Sequence, residues 1–283
     1  MGNHGWMSTK RQRTGTEPDV VEVAAARLMR AQAERQPCAP VRDLIGSSDV
    51  ALAYAVQALQ TKARLAAGAR IVGRKIGLTS PAVQAQLGVD RPDFGFLFSD
   101  MKCTESDPVA MTWLLQPKVE AEIAFVLGAD LDEGPLDLDT VRRAVSYAVP
   151  ALEIVDSRIA EWDITFGDTV ADNASSGLFV LGSERRSLAE FDPVQAQMSM
   201  LIDGVEVSTG SGAACLGDPL EALRWLATTA RDLGEPLRSG QVILSGALGP
   251  MSPVVAGNHV TAEITGLGSV EAHFTAGGPE ETA

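Results

Sequence analysis

The sequence predicts an α+β fold built around a mixed sheet. Three observations carry that reading: apolar residues at helical spacing in the opening stretch, a change after Ile71 to short β-branched runs, and helices that interrupt those runs without regular strand–helix alternation. Residues 1–18 are polar, hold Lys10, Arg11 and Arg13, and read as a flexible tail. From Asp19 to about Gln36, Val20, Val21, Val23, Ala24, Leu28 and Met29 recur with a helical period, and Gln36-Pro37 ends it. A second helix follows Ser47-Ser48-Asp49, carries Val50, Leu52, Ala53, Val56 and Leu59, and stops at Gly68. Residues 19–69 thus form a helical N-terminal part. The β-rich runs fall at 70–78, 118–128, 148–156, 177–182, 197–207, 241–246 and 259–275, in a mixed β part spanning 70–276. Helices are expected at about 80–87, 138–147 and 219–233, the last opened by Asp218-Pro219 and closed by Gly234. Residues 277–283, rich in Gly, Pro and Glu, read as a frayed end.

At 283 residues and 45% hydrophobic, the chain can bury a substantial core. A formal net charge of -14 excludes nonspecific nucleic-acid binding, which needs a basic face to neutralise phosphates. An acidic surface also repels anionic substrates, so a small carboxylate would need a local cation, which a bound metal and the Arg74-Lys75 pair could supply. Cys38, Cys103 and Cys215 are odd in number and widely spaced, so neither a disulfide framework nor a zinc ribbon is indicated, and a reducing cytoplasm fits. No apolar run reaches the roughly 18 residues of a membrane span.

Acids stand out in two apolar, β-branched stretches: Glu120 and Glu122 in Lys118-Val-Glu-Ala-Glu-Ile-Ala-Phe-Val-Leu127, and Glu153 in Ala151-Leu-Glu-Ile-Val-Asp156. Strand alternation puts Glu120 and Glu122 on one face, about 7 Å apart at the backbone. With Glu153 from a neighbouring strand they make a candidate all-oxygen site for Mg2+ or Mn2+. A solvated Glu face on an antiparallel strand fits the spacing equally well.

In Ile71-Val-Gly-Arg-Lys-Ile-Gly-Leu78, Lys75 shares a face with Gly73 and Gly77, while Val72, Arg74, Ile76 and Leu78 share the other. A lysine between two residues without side chains has room beside it for a ligand, and its ammonium can donate a proton or anchor a charge. Asp168-Thr-Val-Ala-Asp-Asn-Ala-Ser-Ser-Gly177 reads as a polar loop, either a helix cap and turn or a carboxylate cradle using Ser175 or Ser176. Pro92–Met101 combines an apolar body with Asp93 and Asp100, as a pocket wall or as core with two turn aspartates. Gly210–Gly217 lacks the third glycine of a dinucleotide fingerprint, since Cys215 stands there, and reads as a tight connection into the next helix. His259 and His273 lie far in sequence from the carboxylates, so a histidine-activated nucleophile has no support.

Taken together, Gly73-Arg-Lys-Ile-Gly-Leu-Thr-Ser80, Asp93-Phe-Gly95, Gln116-Pro-Lys-Val-Glu-Ala-Glu-Ile-Ala124, Pro150-Ala-Leu-Glu-Ile-Val-Asp-Ser-Arg-Ile159, Asp168–Ser176 and Ser245-Gly-Ala-Leu-Gly-Pro-Met251 resemble the 2-oxopent-4-enoate hydratases of the fumarylacetoacetate hydrolase superfamily. The resemblance runs from about residue 20 to 275. It implies a mixed β-sandwich or roll with a small helical N-terminal part, a homo-oligomer, and a role in meta-cleavage catabolism of aromatic compounds. It implies Glu120, Glu122 and Glu153 as ligands of Mg2+ or Mn2+, Lys75 as the acid–base group, Ser175 or Ser176 as a substrate contact, and Leu97 and Asp100 around the substrate, with Asp100 in the catalytic set. The substrate would be a small 2-oxo acid, 2-hydroxypenta-2,4-dienoate, converted to 4-hydroxy-2-oxopentanoate. The 2-oxo-3-hexenedioate (4-oxalocrotonate) decarboxylases are close relatives and imply a possible complex with one. Val119-Glu-Ala-Glu122, Ala160-Glu-Trp-Asp-Ile164 and Gly246–Met251 look like the hydratase versions. Acylpyruvate hydrolysis and a non-catalytic partner subunit rank below both.

Overall fold

The structure is a computed structural model that describes residues 19–80, 84 and 91–277. The helix expected at 80–87 falls outside these residues except for Ser80 and Gln84, as do the expected tails except for Gly277.

Three helices open the chain: α1 (Val20–Glu34), α2 (Arg42–Ile45) and α3 (Val50–Ala66). Asp19 caps α1 by accepting from the Val21 amide, and the helix ends where Arg35 turns left-handed at φ 55°. Asp49 caps α3 by accepting from Leu52 at 3.0 Å. The apolar faces of these helices, through Ala24, Leu28, Val41, Ile45, Ala53 and Val56, pack with Ile159, Phe166, Val170 and Ala171 from much later in the chain. Helix packing here therefore fixes the position of the 159–171 segment.

Strands β1 (Ile71–Gly77), β2 (Asp93–Phe98), β3 (Lys102–Cys103), β4 (Val109–Ala110) and β5 (Lys118–Leu127) follow. Then come α4 (Leu138–Ala144), β6 (Val145–Val155), α5 (Phe166–Ala171), β7 (Ser176–Leu181), β8 (Gln197–Ile202) and β9 (Val205–Ser211). The chain closes with α6 (Pro219–Asp232), β10 (Val242–Ala247), β11 (Ser252–Pro253), β12 (His259–Ile264) and β13 (Gly268–Thr275). One mixed sheet runs β2-β1-β10-β5-β6-β7-β3, with β11 also paired to β5, and a second runs β4-β13-β12-β8-β9. The second sheet lays β12 and β13 against β6, and Phe125, Phe179, Met200, Val260, Val270 and Phe274 are buried in the common core. The α+β class and the two-layered mixed β architecture follow as expected.

Several expected elements differ in detail. The runs 197–207 and 259–275 are each an antiparallel hairpin, split by turns at Asp203-Gly204 and at 265–267. Residues 145–147 belong to β6 and not to the preceding helix, because β6 extends to pair with β5 as far as Val145↔Leu127. Within the 92–101 segment, residues 93–98 form β2, antiparallel to β1, and 99–101 form a short 3-10 turn. The first half of the 168–177 loop is helical, as the last turns of α5.

Candidate metal centre and acid–base site

The centre of the large sheet sets the site. Strands β5 and β6 are antiparallel with Glu120 directly opposite Glu153, and alternation places Glu122 on the same face. Each of the three carboxylates has an oxygen within 4.8 Å of one on the others. Glu122 and Glu153 are buried, and Glu120 is half-buried. Glu122 Oε2 accepts from the Gly246 amide at 2.7 Å. Gly246 has φ 108°, and a Cβ there would lie 2.4 Å from Thr79 Oγ1, so glycine is required for that amide to reach the carboxylate. This gives the 245–251 motif a positioning role that its sequence did not reveal.

Three of the remaining oxygens are not satisfied. Glu122 Oε1 and both Glu153 oxygens are buried and accept no hydrogen bond. Lys75 Nζ lies at ion-pair distance from Glu153 Oε1, 3.2 Å, but directs its hydrogen bond to the Ala174 carbonyl at 3.1 Å. Burial pushes all three carboxylates up, joined at two of them by repulsion from neighbouring glutamates: Glu120 to about 7, by burial and then Glu153, and Glu122 well above the usual range, by burial and then Glu153 and Glu120. Glu153 is raised by burial, against the pull of Lys75. Burial alone would lower the Lys75 ammonium, yet Glu153, Asp93, Glu120 and Glu122 outweigh it and the pKa is raised, so Lys75 is charged at neutral pH in the metal-free site.

Asp93 completes this cluster, although sequence reasoning left it as a pocket wall or a turn residue. In the β1–β2 register Asp93 is opposite Gly77, Gly95 opposite Lys75 and Leu97 opposite Gly73, so Asp93 and Leu97 share the Lys75 face. A Cβ on Gly77 would meet Asp93 Oδ1 at 2.2 Å and approach Lys75 Nζ to 3.4 Å. Asp93 is buried, its Oδ1 has no donor, and Oδ2 accepts from Thr169 Oγ1 at 3.4 Å. Burial raises its pKa against the pull of Lys75. The signal was present in the sequence: Asp93, Gly95 and Leu97 alternate against Phe94, Phe96 and Phe98.

The turn after α5 closes the site from one side. Asn173, Ala174 and Ser175 are consecutive left-handed residues, φ 54°, 51° and 52°, a conformation that costs roughly 1–2 kcal/mol per non-glycine residue. It is held by Asn173, whose side chain bonds both the amide and the carbonyl of Phe96 at 2.8 and 3.0 Å. A Cβ on Gly95 would sit 2.2 Å from the Asn173 carbonyl, so the close approach requires glycine. Ser175 Oγ lies 3.4 Å from Thr169 Oγ1 beside Asp93, whereas Ser176 Oγ is buried without a partner, 2.7 Å from where a Cβ on Gly95 would stand, and Ser176 is also among the residues lining a neighbouring cavity. The whole turn hangs on the helical part. Asp168, fully buried, accepts from the Val41 and Arg42 amides, the Arg42 guanidinium, and the Thr165 amide and hydroxyl. Gln57 donates to the Phe94 and Val170 carbonyls.

Two expectations need correction. Asp100 lies beyond the end of β2, exposed, and is bound by both carboxylate oxygens to Arg64 at 2.8 and 2.6 Å. It lines a cavity of about 520 Å³ between α1, α3 and the 173–178 segment, whose lining includes none of the three glutamates. Arg74 does not join Lys75 as a local cation either. It points to the opposite face, over Phe94 and Phe96 and toward Glu235, and burial lowers its pKa to about 10.

The donors fit a hard divalent cation. Four carboxylates face one ammonium, three of their buried oxygens on Glu122 and Glu153 lack donors, and the ligand atoms are all oxygen.

The chain resembles known proteins over most of its length. Residues 70–275 match the family described as fumarylacetoacetate (FAA) hydrolase, C-terminal. The chain is 58% identical over 235 residues, 83% of its length and 88% of the relative's, to the "TodF product hydratase" of Pseudomonas putida. It is 54% identical over 251 residues, 89% of its length and 96% of the relative's, to a 2-keto-4-pentenoate hydratase of Burkholderia vietnamiensis. Among solved structures, the 4-oxalocrotonate decarboxylase of Pseudomonas putida G7, complexed with magnesium and adipate, aligns with a TM-score of 0.85 and 35% identity, covering 93% of this chain and 100% of that one. Among the described residues, no helix is long and apolar enough to cross a membrane.

Proposed function

The chain belongs to the fumarylacetoacetate hydrolase family, and from that premise we propose that it is a metal-dependent hydro-lyase, a 2-keto-4-pentenoate (2-oxopent-4-enoate) hydratase. The single observation that carries the chemistry is three sheet-borne carboxylates converging beside a buried, charged lysine. Glu120, Glu122 and Glu153 would hold the ion, for which an all-oxygen set favours Mg2+ or Mn2+. When bound, the ion supplies Lewis acidity toward the charge that develops on the 2-oxygen of a 2-oxo acid.

The chain's own residues do the rest. Lys75 holds a proton at Nζ, oriented by the Ala174 carbonyl and by Glu153. It delivers that proton to C5 of 2-hydroxypenta-2,4-dienoate as the enol O–H proton leaves, giving a 2-oxo-3-enoate whose C4 is electrophilic by conjugation. Water then adds at C4 and a proton goes to C3, giving 4-hydroxy-2-oxopentanoate. Asp93, hydrogen-bonded to Thr169 and beside Lys75, is the carboxylate placed to recharge the lysine, and Ser175 stands in the same hydroxyl cluster. Leu97 supplies an apolar wall on the same strand face. The clamped 173–175 turn holds the Ala174 carbonyl where it accepts from Lys75.

Loss of dienoate absorbance with and without Mg2+, with the product identified by mass, tests the reading. Absence of 4-hydroxy-2-oxopentanoate overturns it. A second reading, decarboxylation of 2-oxo-3-hexenedioate, is favoured by the structural match to the decarboxylase, and CO2 release from that dicarboxylate distinguishes it. Identities of 58% and 54% to proteins named hydratases, against 35% to the decarboxylase, support hydration as the main reaction. A homo-oligomer, a complex with a homologous decarboxylase and a cytoplasmic location belong to the same proposal. The family likeness supports the first two, and free Cys38, Cys103 and Cys215 support the third.

A further inference from the structure

The second sheet carries a cluster that this reaction does not use. In the β12–β13 hairpin His259 stands opposite His273, and Glu271 is two residues before His273 on the same face. Val260, Ala262, Val270, Ala272 and Phe274 alternate with them and fill the core, so packing does not explain the polar three. The two imidazoles stack with centroids 4.0 Å apart and planes 10° from parallel. His259 Nε2 is 3.1 Å from Glu271 Oε2, and every one of the three residues offers a donor atom within 4.8 Å of the others. A simple ion pair needs one histidine. The second, His273, makes the ring contact but no hydrogen bond to a described residue.

The backbone holds this set in place. Asp203 accepts from the His259 amide and from Asn258 Nδ2, both at 2.8 Å, which fixes the start of β12 and commits that carboxylate elsewhere. Glu105 Oε1 accepts from the Glu271 amide at 3.2 Å, anchoring the second strand. The side chains of His259 and Glu271 are 41% and 45% exposed, so an ion reaches them from solvent.

We propose that His259, Glu271 and His273 form a second metal site, on the outer face of the small sheet, for a borderline transition ion such as Zn2+. Two imidazole nitrogens and one carboxylate are the donor set of Zn2+, Ni2+ or Cu2+, whereas Mg2+ and Ca2+ take oxygen ligands. The two sites therefore select different ions. Three ligands from one hairpin leave a fourth position for water or for a group from another molecule.

The test uses the full chain with Mg2+ in excess, so that the glutamate site is occupied. Calorimetric titration with Zn2+ should show one further equivalent, and the double variant His259→Ala, His273→Ala should bind it more than about tenfold more weakly, while Mg2+-dependent turnover is unchanged. Glu271→Gln, keeping both histidines, should weaken Zn2+ by a smaller factor. Independently of any variant, one equivalent of Cu2+ on the wild-type protein should give an electron paramagnetic resonance spectrum with hyperfine splitting from two nitrogens. A spectrum without nitrogen splitting, or an unchanged zinc isotherm in the folded double variant, overturns the proposal.

Discussion

Glu120→Gln should stabilise the metal-free protein while abolishing its metal-dependent turnover. Glu120 titrates at about 7 in the folded chain against 4.5 when unperturbed, through burial and then repulsion from Glu153. A raised folded pKa favours the folded state fully below about pH 4.5, and that contribution is lost as pH rises through about 7. The difference is roughly 3 kcal/mol, trimmed to about 2 kcal/mol because Glu120 is partly exposed. Glutamine keeps the shape and carries no charge, so at pH 8 with a chelator the variant should melt about 4–8 °C above wild type. At pH 5 the gap should nearly close. Saturating Mg2+ should reverse the order, since the intact carboxylate set gains the binding free energy. Differential scanning calorimetry at the two pH values, with chelator and with Mg2+, reads all of this. A variant no more stable than wild type at pH 8 in chelator, or a gap independent of pH, would refute the electrostatic account of the site.

Lys75→Met should lower turnover about 10²–10⁴-fold while Mg2+ affinity, measured by calorimetry, does not fall, because an ammonium beside Glu153 competes with the metal. Gly95→Ala should displace the 173–175 turn, since its Cβ would meet the Asn173 backbone carbonyl, and should cut turnover more than tenfold together with a clear loss in melting temperature. Asp168→Ala should cost about 3–5 kcal/mol, read by urea unfolding, because it orphans the Val41, Arg42 and Thr165 amides that converge on Asp168, while the Arg42 guanidinium keeps its contacts with Asp163. Equal stability there would mean the helical part is anchored by its apolar contacts alone.

The convergence of the three glutamates was legible because carboxylates are costly in apolar, β-branched runs, and strand alternation fixed the common face of Glu120 and Glu122. Lys75 was legible for a similar reason, set between glycines. What stayed hidden depended on pairing across the chain. Which of Asp93 and Asp100 faces Lys75 is decided by the β1–β2 register, which ends before Asp100. Helix α5 is buried on every side, so it lacks the one-sided apolar stripe that marks a surface helix, and its residues read as a loop. The hairpins at 203–204 and 265–267 were signalled by Asp203-Gly204 and Gly266, yet continuous β-rich composition masked the reversals. Gly246 looked like part of a motif without a purpose until the fold set its amide against Glu122.

Because Glu120 and Glu153 meet only in one alignment of β5 and β6, the cluster of glutamates gauges how those strands are threaded. A slip of one residue turns one acid to the reverse side of the sheet and scatters the trio. Divalent ions supplied during refolding should thus discriminate among mispaired chains and draw the correctly aligned one forward, so that cofactor and topology proofread each other.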